Sequence, residues 1–452
     1  MGTTSRNGHA IIIGASIGGL TAAAAVCDSF ERITIIDRDE LPATPAPRRG
    51  VPQSRLTHGL TARGEMALGE LFQGLVGELA AIEVPIGDGQ SDVNWYVDGR
   101  RLKRAVSGLP LVCASRPLLE FAIRSRVAVL PGVTIVGRHD VTGLLTTPDR
   151  SAVTGVQLRS RDGAGSPSTS PPTMAADLVV DATGLGTGSA SWLKELGYAP
   201  PEKETVRVGI CYSCRLFRGD GDARYLDGGL VTVVAAYPDR PLGGLALAQE
   251  GGRFILALNG RGNAMPPTGL AAMAMYADAL PTPDLAKIIR TATPLGEPAT
   301  MRFPASMRRR YERLDHFLGG FLAIGDALCC LNPVYGQGMS AAAAEAQVLR
   351  GLLRDGREDI APRFFRAAAE IVDIPWTTVL GNDLRFPGAE GPRTPELERA
   401  GEYMEAFRAA AADDVVLSTA LVRVLNMVDA PSSLRAPDLQ ERVARTLVRS
   451  GN

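Results

Sequence analysis

The chain opens with unbroken apolar runs separated by single breaks. "HAIIIGASIGGLTAAAAV" reads as a short apolar run, a glycine-rich turn and an alanine-rich stretch, and "RITIID" is a second apolar run ending in an acid. Short continuous apolar runs fit strands buried on both faces, and the alanine stretch between them fits a helix. The pattern therefore predicts a βαβ unit. Further on, "SDVNWYVDGRRLKRAV" predicts a hairpin about Asp98-Gly99. "SRPLLEFAIRSRVAVLPGV" predicts an amphipathic helix, and "TIVGRHDVTGLLTT" a strand pair. Val153–Leu158 and Ala176–Val180 read as two more strands, with "RDGAGSPSTSPP" between them as a low-complexity hairpin tip. Residues of roughly 205–305 alternate with the period of strands, with turns at "RGDGD" and "NGRGN". The last hundred residues read as helices broken by the loop "RFPGAEGPRTP". No internal repeat stands out.

Composition narrows the class. A chain of 452 residues exceeds one ordinary domain, so two or three packed units are expected. With 45% hydrophobic residues and a net charge of -1, nothing points to nucleic acid or an anionic membrane surface as a partner. No run approaches the ~18 apolar residues a membrane helix needs. A strand is reached by His9, leaving no room for a signal peptide, so the expected compartment is the cytoplasm. Cys211 and Cys214 stand three apart on a strand and face opposite ways, which suits core packing better than zinc or a redox dithiol. Adjacent Cys329 and Cys330 read as reduced packing residues. Four histidines and no His/Cys/carboxylate cluster leave no expected metal site.

The chemistry sits in the turns. Gly14, Ser16 and Gly19 fill the fingerprint positions of a dinucleotide-binding turn, with Ile17 and Gly18 completing it. Asp37, followed by Arg38, ends the second strand, where an acid binds a ribose hydroxyl. Serine at the middle position is a small polar compromise for the usual glycine. Two more strand-to-turn glycine sites follow, "DLVVDATGLG" with Gly184 and "FLAIGDALCCLNPVYGQGMSAAAAEAQ". In the latter, Asp326 precedes a turn of Pro333, Gly336, Gly338 and Met339 that opens a helix. A βαβ unit plus a distant glycine-acid turn is the pattern of a two-part site. The first part takes adenosine and pyrophosphate, and Asp326 takes the polyol that leads to an isoalloxazine ring. The helix beginning near Gly336 turns its partial positive charge to the ring's pyrimidine end, which is negative when reduced. The cofactor expected is FAD.

Taken together, "GASIGGL", "DLVVDATG" and "GDALCCLNPVYGQGMS" resemble FAD-dependent monooxygenases of the aromatic-hydroxylase and squalene-epoxidase type. "GVPQSR" and "SRPLLE" extend the resemblance to a bacterial branch that includes the epoxidases of polyether-antibiotic pathways, over about Ile11 to Gly391. The resemblance implies an α/β fold: a Rossmann-like FAD-binding domain interleaved with a β-sheet substrate domain and a C-terminal helical region. The expected division is 1–84, 111–200 and 305–356 for the FAD-binding domain. Residues 85–110 and 201–304 form the substrate domain, and 357–452 the helical region. It also implies that Arg55, Arg116 and Val141 contact the ribityl, phosphate or adenine portions, although both arginines also read as plain surface or structural residues. Molecular oxygen and a flavin C4a-hydroperoxide are the implied oxidant. The implied partner is a small apolar natural-product substrate, a polyketide or terpenoid intermediate epoxidised at an alkene. Aromatic hydroxylation, prenyl-chain reduction and a non-catalytic flavoprotein stay open.

Departures from the family pattern bear on the electron source. "DATGLGTGSAS" has Thr183 and Ala190 where aromatic hydroxylases carry aspartate and arginine, and Leu328-Cys329 replaces a common histidine. Electrons then come from NAD(P)H directly or from a separate flavin reductase. The Trp-x-Trp-x-x-Ile-Pro signature of flavin halogenases is absent. His58 reads as a surface histidine at a helix start or a base near the flavin loop. Asp383 and Arg385 read as a substrate cap or a mutual ion pair, and Trp95, Tyr96, Phe303 and Trp376 as pocket walls or ordinary core.

Overall fold

The computed structural model describes residues 6–161, 171–186, 188–219, 226–262 and 264–450. Most of the "RDGAGSPSTSPP" tip, and parts of the "RGDGD" and "NGRGN" turns, lie outside these residues. Five parallel strands form the first sheet, in the order Phe321–Ala323, Leu178–Asp181, His9–Ile13, Arg32–Ile36, Val133–Val136. Ile11 and Ile12 have no solvent exposure, as a strand covered on both faces requires.

The helix Ile17–Val26 packs between this sheet and the long helix Gly338–Arg354. Small residues permit the approach. A Cβ at Gly18 would stand only 3.8 Å from that of Ala342, and one at Gly64 would meet the Ser340 hydroxyl at 2.3 Å. At Gly19 a Cβ would lie 1.8 Å from the Gly14 carbonyl oxygen. Only glycine fits there, so this fingerprint position is a packing requirement.

The second sheet has eight strands, ordered Cys329–Cys330, Thr293–Arg309, Lys203–Arg218, Arg253–Gly260, Leu242–Gln249, Val231–Val234, Val93–Val97, Arg100–Arg101. Its edge is the expected hairpin, whose Asp98 and Gly99 both take positive φ (47° and 76°), as a two-residue primed turn demands. The stretch 205–305 is not all strand. Helices Leu270–Asp278 and Asp284–Thr291 cover this sheet, the latter burying Leu285, Ile288 and Ile289 at helical spacing. Strand Thr293–Arg309 runs on past residue 304. "TIVGRHDVTGLLTT" gives two strands that do not pair with each other. Val133–Val136 edges the parallel sheet, while His139–Thr146 joins a three-stranded sheet with Val153–Ser160 and Thr173–Ala175.

Helices Ile360–Asp383, Pro395–Ala411, Val415–Leu425 and Pro437–Ser450 make up the C-terminal region. Their own core, with Phe407, Leu417, Leu421 and Val422, packs on Leu102 and Leu109 beside the edge hairpin. Among the described residues no helix is long and apolar enough to cross a membrane.

Candidate cofactor and substrate site

A cavity of about 1340 Å³ begins at the carboxyl ends of the parallel strands. Ile13-Gly14, Ile36-Asp37, Ala182–Gly186 and Ile324–Asp326 each leave a strand of that sheet and line the cavity. Open α/β sheets bind ligands at this edge, where loops diverge and backbone donors face outward.

The fingerprint end is built around buried charge. Ser16 is not merely a small residue: its hydroxyl accepts from Arg116 Nη2 at 2.7 Å and donates to Glu120 at 3.2 Å. The serine thus holds a guanidinium over the turn. Burial pulls the Arg116 pKa down against Glu120, which raises it. Asp37 accepts from the amides of Ala15 and Asp39, at 2.7 and 2.8 Å, and from Arg48 at 3.1 Å. A carboxylate has about four acceptor sites, so Asp37 retains little capacity beyond these for a ribose hydroxyl. Arg48, which the sequence reading missed, also bonds Asp39 and Glu120. Its only sequence signal is the "PRRG" doublet in a proline-rich loop. Arg48 Nη2 and Arg116 Nε are buried without a hydrogen-bond partner, and both residues line the cavity.

At the second turn, Gly325 takes positive φ (64°) and Asp326 faces the cavity. The Asp326 carboxylate makes no hydrogen bond among the described residues. Burial pushes its pKa up, with Arg116 and Arg309 opposing. Beneath the turn, the Gly325 amide donates to Glu345 at 2.7 Å, and the other Glu345 oxygen is buried without a partner. Burial raises the Glu345 carboxyl to about 8. The next helix begins at Gly338, after a short 3₁₀ turn, Pro333–Tyr335, closed by Gly336 at φ 66°. Asn332 caps that turn, accepting from the Val334 amide at 3.1 Å and donating to Asp383 at 2.9 Å.

Asp383 is the correction of greatest consequence. It has no solvent exposure and accepts from Arg261 (2.8 Å), Asn332 and Tyr335 (2.6 Å). Arg385 does not pair with it, but bonds Asp98 on the edge hairpin through both terminal nitrogens. Two residues apart at the end of the helix Ile360–Asp383, the two side chains diverge to different partners.

The cavity brings together Gly14, Ser16, Ile17 and Gly18; Asp37 and Arg38; Arg116, Val141 and Gly184; and Asp326, Pro333, Gly336, Gly338 and Met339. It leaves out two expected residues. Gly19 serves packing, and Arg55 is exposed on a 3₁₀ turn away from the cavity wall. His58 is not a surface histidine. It stands half-buried in the wall, one ring nitrogen 3.1 Å from the Leu56 carbonyl, and burial with the nearby Arg116 pushes its pKa down to about 3. Trp95 and Phe303 line the cavity. Trp376 is core and donates to Glu204, and Tyr96 is outside the cavity lining. All six cysteines are buried and free. Among the described residues no His/Cys/Asp/Glu cluster suits a metal.

Away from the strand ends, Trp95, Val233, Leu245, Met301 and Phe303 of the eight-stranded sheet line the cavity together with Leu421 and Val424 of the helical region, beside the charged group Asp98, Arg385 and Arg408. The cavity exceeds the roughly 300–1,000 Å³ typical of a single-ligand pocket, leaving room for two molecules. The residues present fit FAD: orphaned guanidinium nitrogens and helix N-termini suit its phosphates, and the unpartnered Asp326 carboxylate suits its polyol.

This architecture is the one shared by flavin-dependent halogenases and FAD-dependent monooxygenases. Flavin-dependent brominase Bmp2 superposes with a TM-score of 0.65 at 16% identity, covering 98% of this chain and 99% of that one. A flavoprotein/dehydrogenase from Cytophaga hutchinsonii gives 0.65 at 14%, covering 97% of each chain. PqsL from Pseudomonas aeruginosa, a probable FAD-dependent monooxygenase, gives 0.61 at 16%, covering 83% of this chain and 97% of that one. At such identities the likeness is one of fold. No protein-family model matches the chain. The chain belongs to the family of Protein Rv3254 of Mycobacterium tuberculosis, with which it is 36% identical over 438 residues, 93% of this chain and 90% of the relative.

Proposed function

We propose that this protein is an FAD-dependent oxygenase. Within that class, we read it as a monooxygenase that places one atom of O2 on a carbon–carbon double bond of a largely apolar substrate. One observation carries the reading: a single cavity joins a charged arm at the strand ends to an apolar chamber under the helical region. When bound, FAD supplies the reductive activation of dioxygen, and the protein contributes position, dryness and fixed dipoles. Asp326 would take the polyol; Arg116, held by Ser16, and Arg48 would offset phosphate charge. The helix at Gly338 would offer its N-terminus to the ring, where negative charge collects on reduction. Apolar walls keep water from the reacting atoms.

The titratable inventory favours an alkene over a phenol. A phenol needs a base poised near neutrality. His58 is held neutral, far from a working range, and Tyr335 and Tyr212 are pushed well above theirs by burial. Asp98 is committed to two arginines. Alkene epoxidation requires no such group, and aromatic hydroxylation is the alternative.

The test begins with the flavin: protein as purified, or reconstituted, should release FAD on denaturation, and failure to bind FAD sinks the reading. Holoenzyme supplied with NAD(P)H, or with a separate flavin reductase, is then given labelled dioxygen, bromide and a panel of alkenes and arenes. One labelled oxygen in an epoxide supports the proposal. Brominated product moves the protein to the halogenases, a phenol to the hydroxylases, and reduced substrate without label to the reductases.

A further inference from the structure

The end of the cavity remote from the strand ends contains a charge arrangement that the FAD site does not use. Asp98, at the tip of the edge hairpin, accepts from Arg385 at 2.9 and 3.0 Å and from Arg408 Nε at 2.7 Å. All three residues line the cavity. One carboxylate on the cavity wall therefore serves two guanidiniums, and Glu405, exposed three residues before Arg408 on the same helix, is the other acid that acts on it. Arg385 spends both terminal nitrogens on Asp98. Arg408 does not: its Nε donates, and its Nη2 is buried without a hydrogen-bond partner. Its side chain is 5% exposed.

A guanidinium so buried with unmatched donors is costly unless something completes it, because desolvation and lost hydrogen bonds both act against it. A purely structural tie between hairpin and helix would need only the Nε bond. The unpaired nitrogen sits beside an apolar wall that includes Trp95, Val97 and Met404. Arg435, exposed and without a side-chain hydrogen bond among the described residues, also lines the cavity from the following segment. No carboxylate other than Asp98 stands with these arginines on the cavity wall. The other acids of the lining, Asp37, Asp140 and Asp326, belong to the strand-end half.

We infer that the substrate is an amphipathic anion: an apolar body in the chamber and a carboxylate-type group held by Arg408. This deepens the oxygenase reading and rests on FAD taking the other half of the cavity. The guanidinium fork matches a carboxylate in plane and charge, whereas a neutral hydroxyl would match it in neither. Arg408 is thus a specificity-determining residue that sets which end of the substrate stays away from the flavin.

The experiment uses intact protein and two matched probes, dodecanoate and dodecanol, at neutral pH. Binding is read from tryptophan fluorescence, since Trp95 lines the chamber, with FAD content measured on the same samples. Dodecanoate should bind about ten- to a hundredfold more tightly than dodecanol. Arg408→Gln should abolish the preference while leaving dodecanol affinity and FAD content unchanged. Arg408→Lys, which keeps charge but loses the fork, should retain a smaller preference, and it reads the same question should the glutamine variant not fold. Equal binding of the two probes by the wild type, undetectable dodecanoate binding, or a preference unmoved in the folded variants overturns the inference. Normal discrimination by protein that cannot bind FAD would instead overturn the oxygenase reading and leave the anion site standing.

Discussion

The Tyr335 hydroxyl donates to the Asp383 carboxylate at 2.6 Å, joining the glycine turn that faces the cavity to the C-terminal end of a helix 48 residues further along. Arg261, from the eight-stranded-sheet region, completes the same carboxylate and stacks 4.6 Å from the Phe386 ring. Three parts of the chain therefore meet at one acid that lies outside the cavity lining.

Removing that acid should act through stability first. Asp383→Ala leaves Arg261 buried and uncompensated, a loss of about 3–5 kcal/mol. Tyr335→Phe removes one hydrogen bond and should cost about 1 kcal/mol. Denaturant melts of the two variants test the ranking, and an Asp383→Ala melt indistinguishable from wild type would contradict it. FAD should also bind more weakly to Asp383→Ala, because Asn332 and the turn it caps lose their anchor.

Asp326→Asn should separate binding from stability. The carboxylate has no internal partner, and burial already disfavours its charge. The apo-protein should be as stable as wild type or more so, while FAD affinity falls roughly ten- to a hundredfold. Calorimetric FAD titration and an apo melt measure the two effects, and unaltered affinity would remove Asp326 from the cofactor's polyol.

Glu345 predicts a pH dependence of known sign. Its carboxyl is raised from 4.5 to about 8, so its folded-state contribution is fully present below the unfolded value. It is lost as pH rises from about 4.5 through about 8, because the unfolded chain gives up its proton over that range while the buried native carboxyl keeps it. Glu345→Gln keeps an acceptor for the Gly325 amide and removes the ionisation. The variant should gain stability over wild type at about pH 9, by up to several kcal/mol, and far less at about pH 5.5. A constant difference at both values would show that Glu345 does not ionise on unfolding as assigned.

His58 stays neutral through the physiological range, since burial and Arg116 hold its pKa near 3. The oxygen-transfer rate should therefore be nearly flat between about pH 6.5 and 8.5, and His58→Gln should leave that flatness unchanged. Single-turnover rates on reduced holoenzyme are the measurement, and a steep single-pKa fall within that window would favour base-assisted hydroxylation.

Gly19→Ala tests the packing role assigned to a fingerprint residue outside the cavity lining. Its Cβ would collide with the Gly14 carbonyl oxygen at 1.8 Å, and backbone cannot yield as a side chain does. A loss of ~3 kcal/mol or more is expected, at the upper end for overpacking. A native-like melt would show that the turn can open.

What was legible in the sequence was local. Gly14, Asp37 and Gly325 sit where strands stop, Gly336 closes the turn before a helix, and the residues beside them dictate those turns. The apolar runs of the parallel sheet were plain for the same reason. The charge pairs were not legible, because their partners are distant: Arg48 with Glu120 at 72 residues, Arg261 with Asp383 at 122, Arg408 with Asp98 at 310. An arginine offers no period or spacing that names its carboxylate. Asp383 and Arg385 show the consequence, since two neighbours that read as a substrate cap or a mutual ion pair belong to two networks. The helix Asp284–Thr291 was a different miss, a clear amphipathic pattern overlooked inside a run read as strands.

The parallel pairing of Val93–Val97 with Val231–Val234 bears on how the chain is made. The edge hairpin leaves the ribosome early, yet its partner is synthesised only after two long intervening segments. Both sheets wait longer still for an outer strand, Phe321–Ala323 in the first and Cys329–Cys330 in the second. Neither sheet can close during the first half of translation, and such long loop closures slow folding and prolong the exposure of strand edges. Nascent chains stalled before residue 321 should therefore engage holdase chaperones and be cut readily by protease, whereas chains released after the helix Gly338–Arg354 should resist.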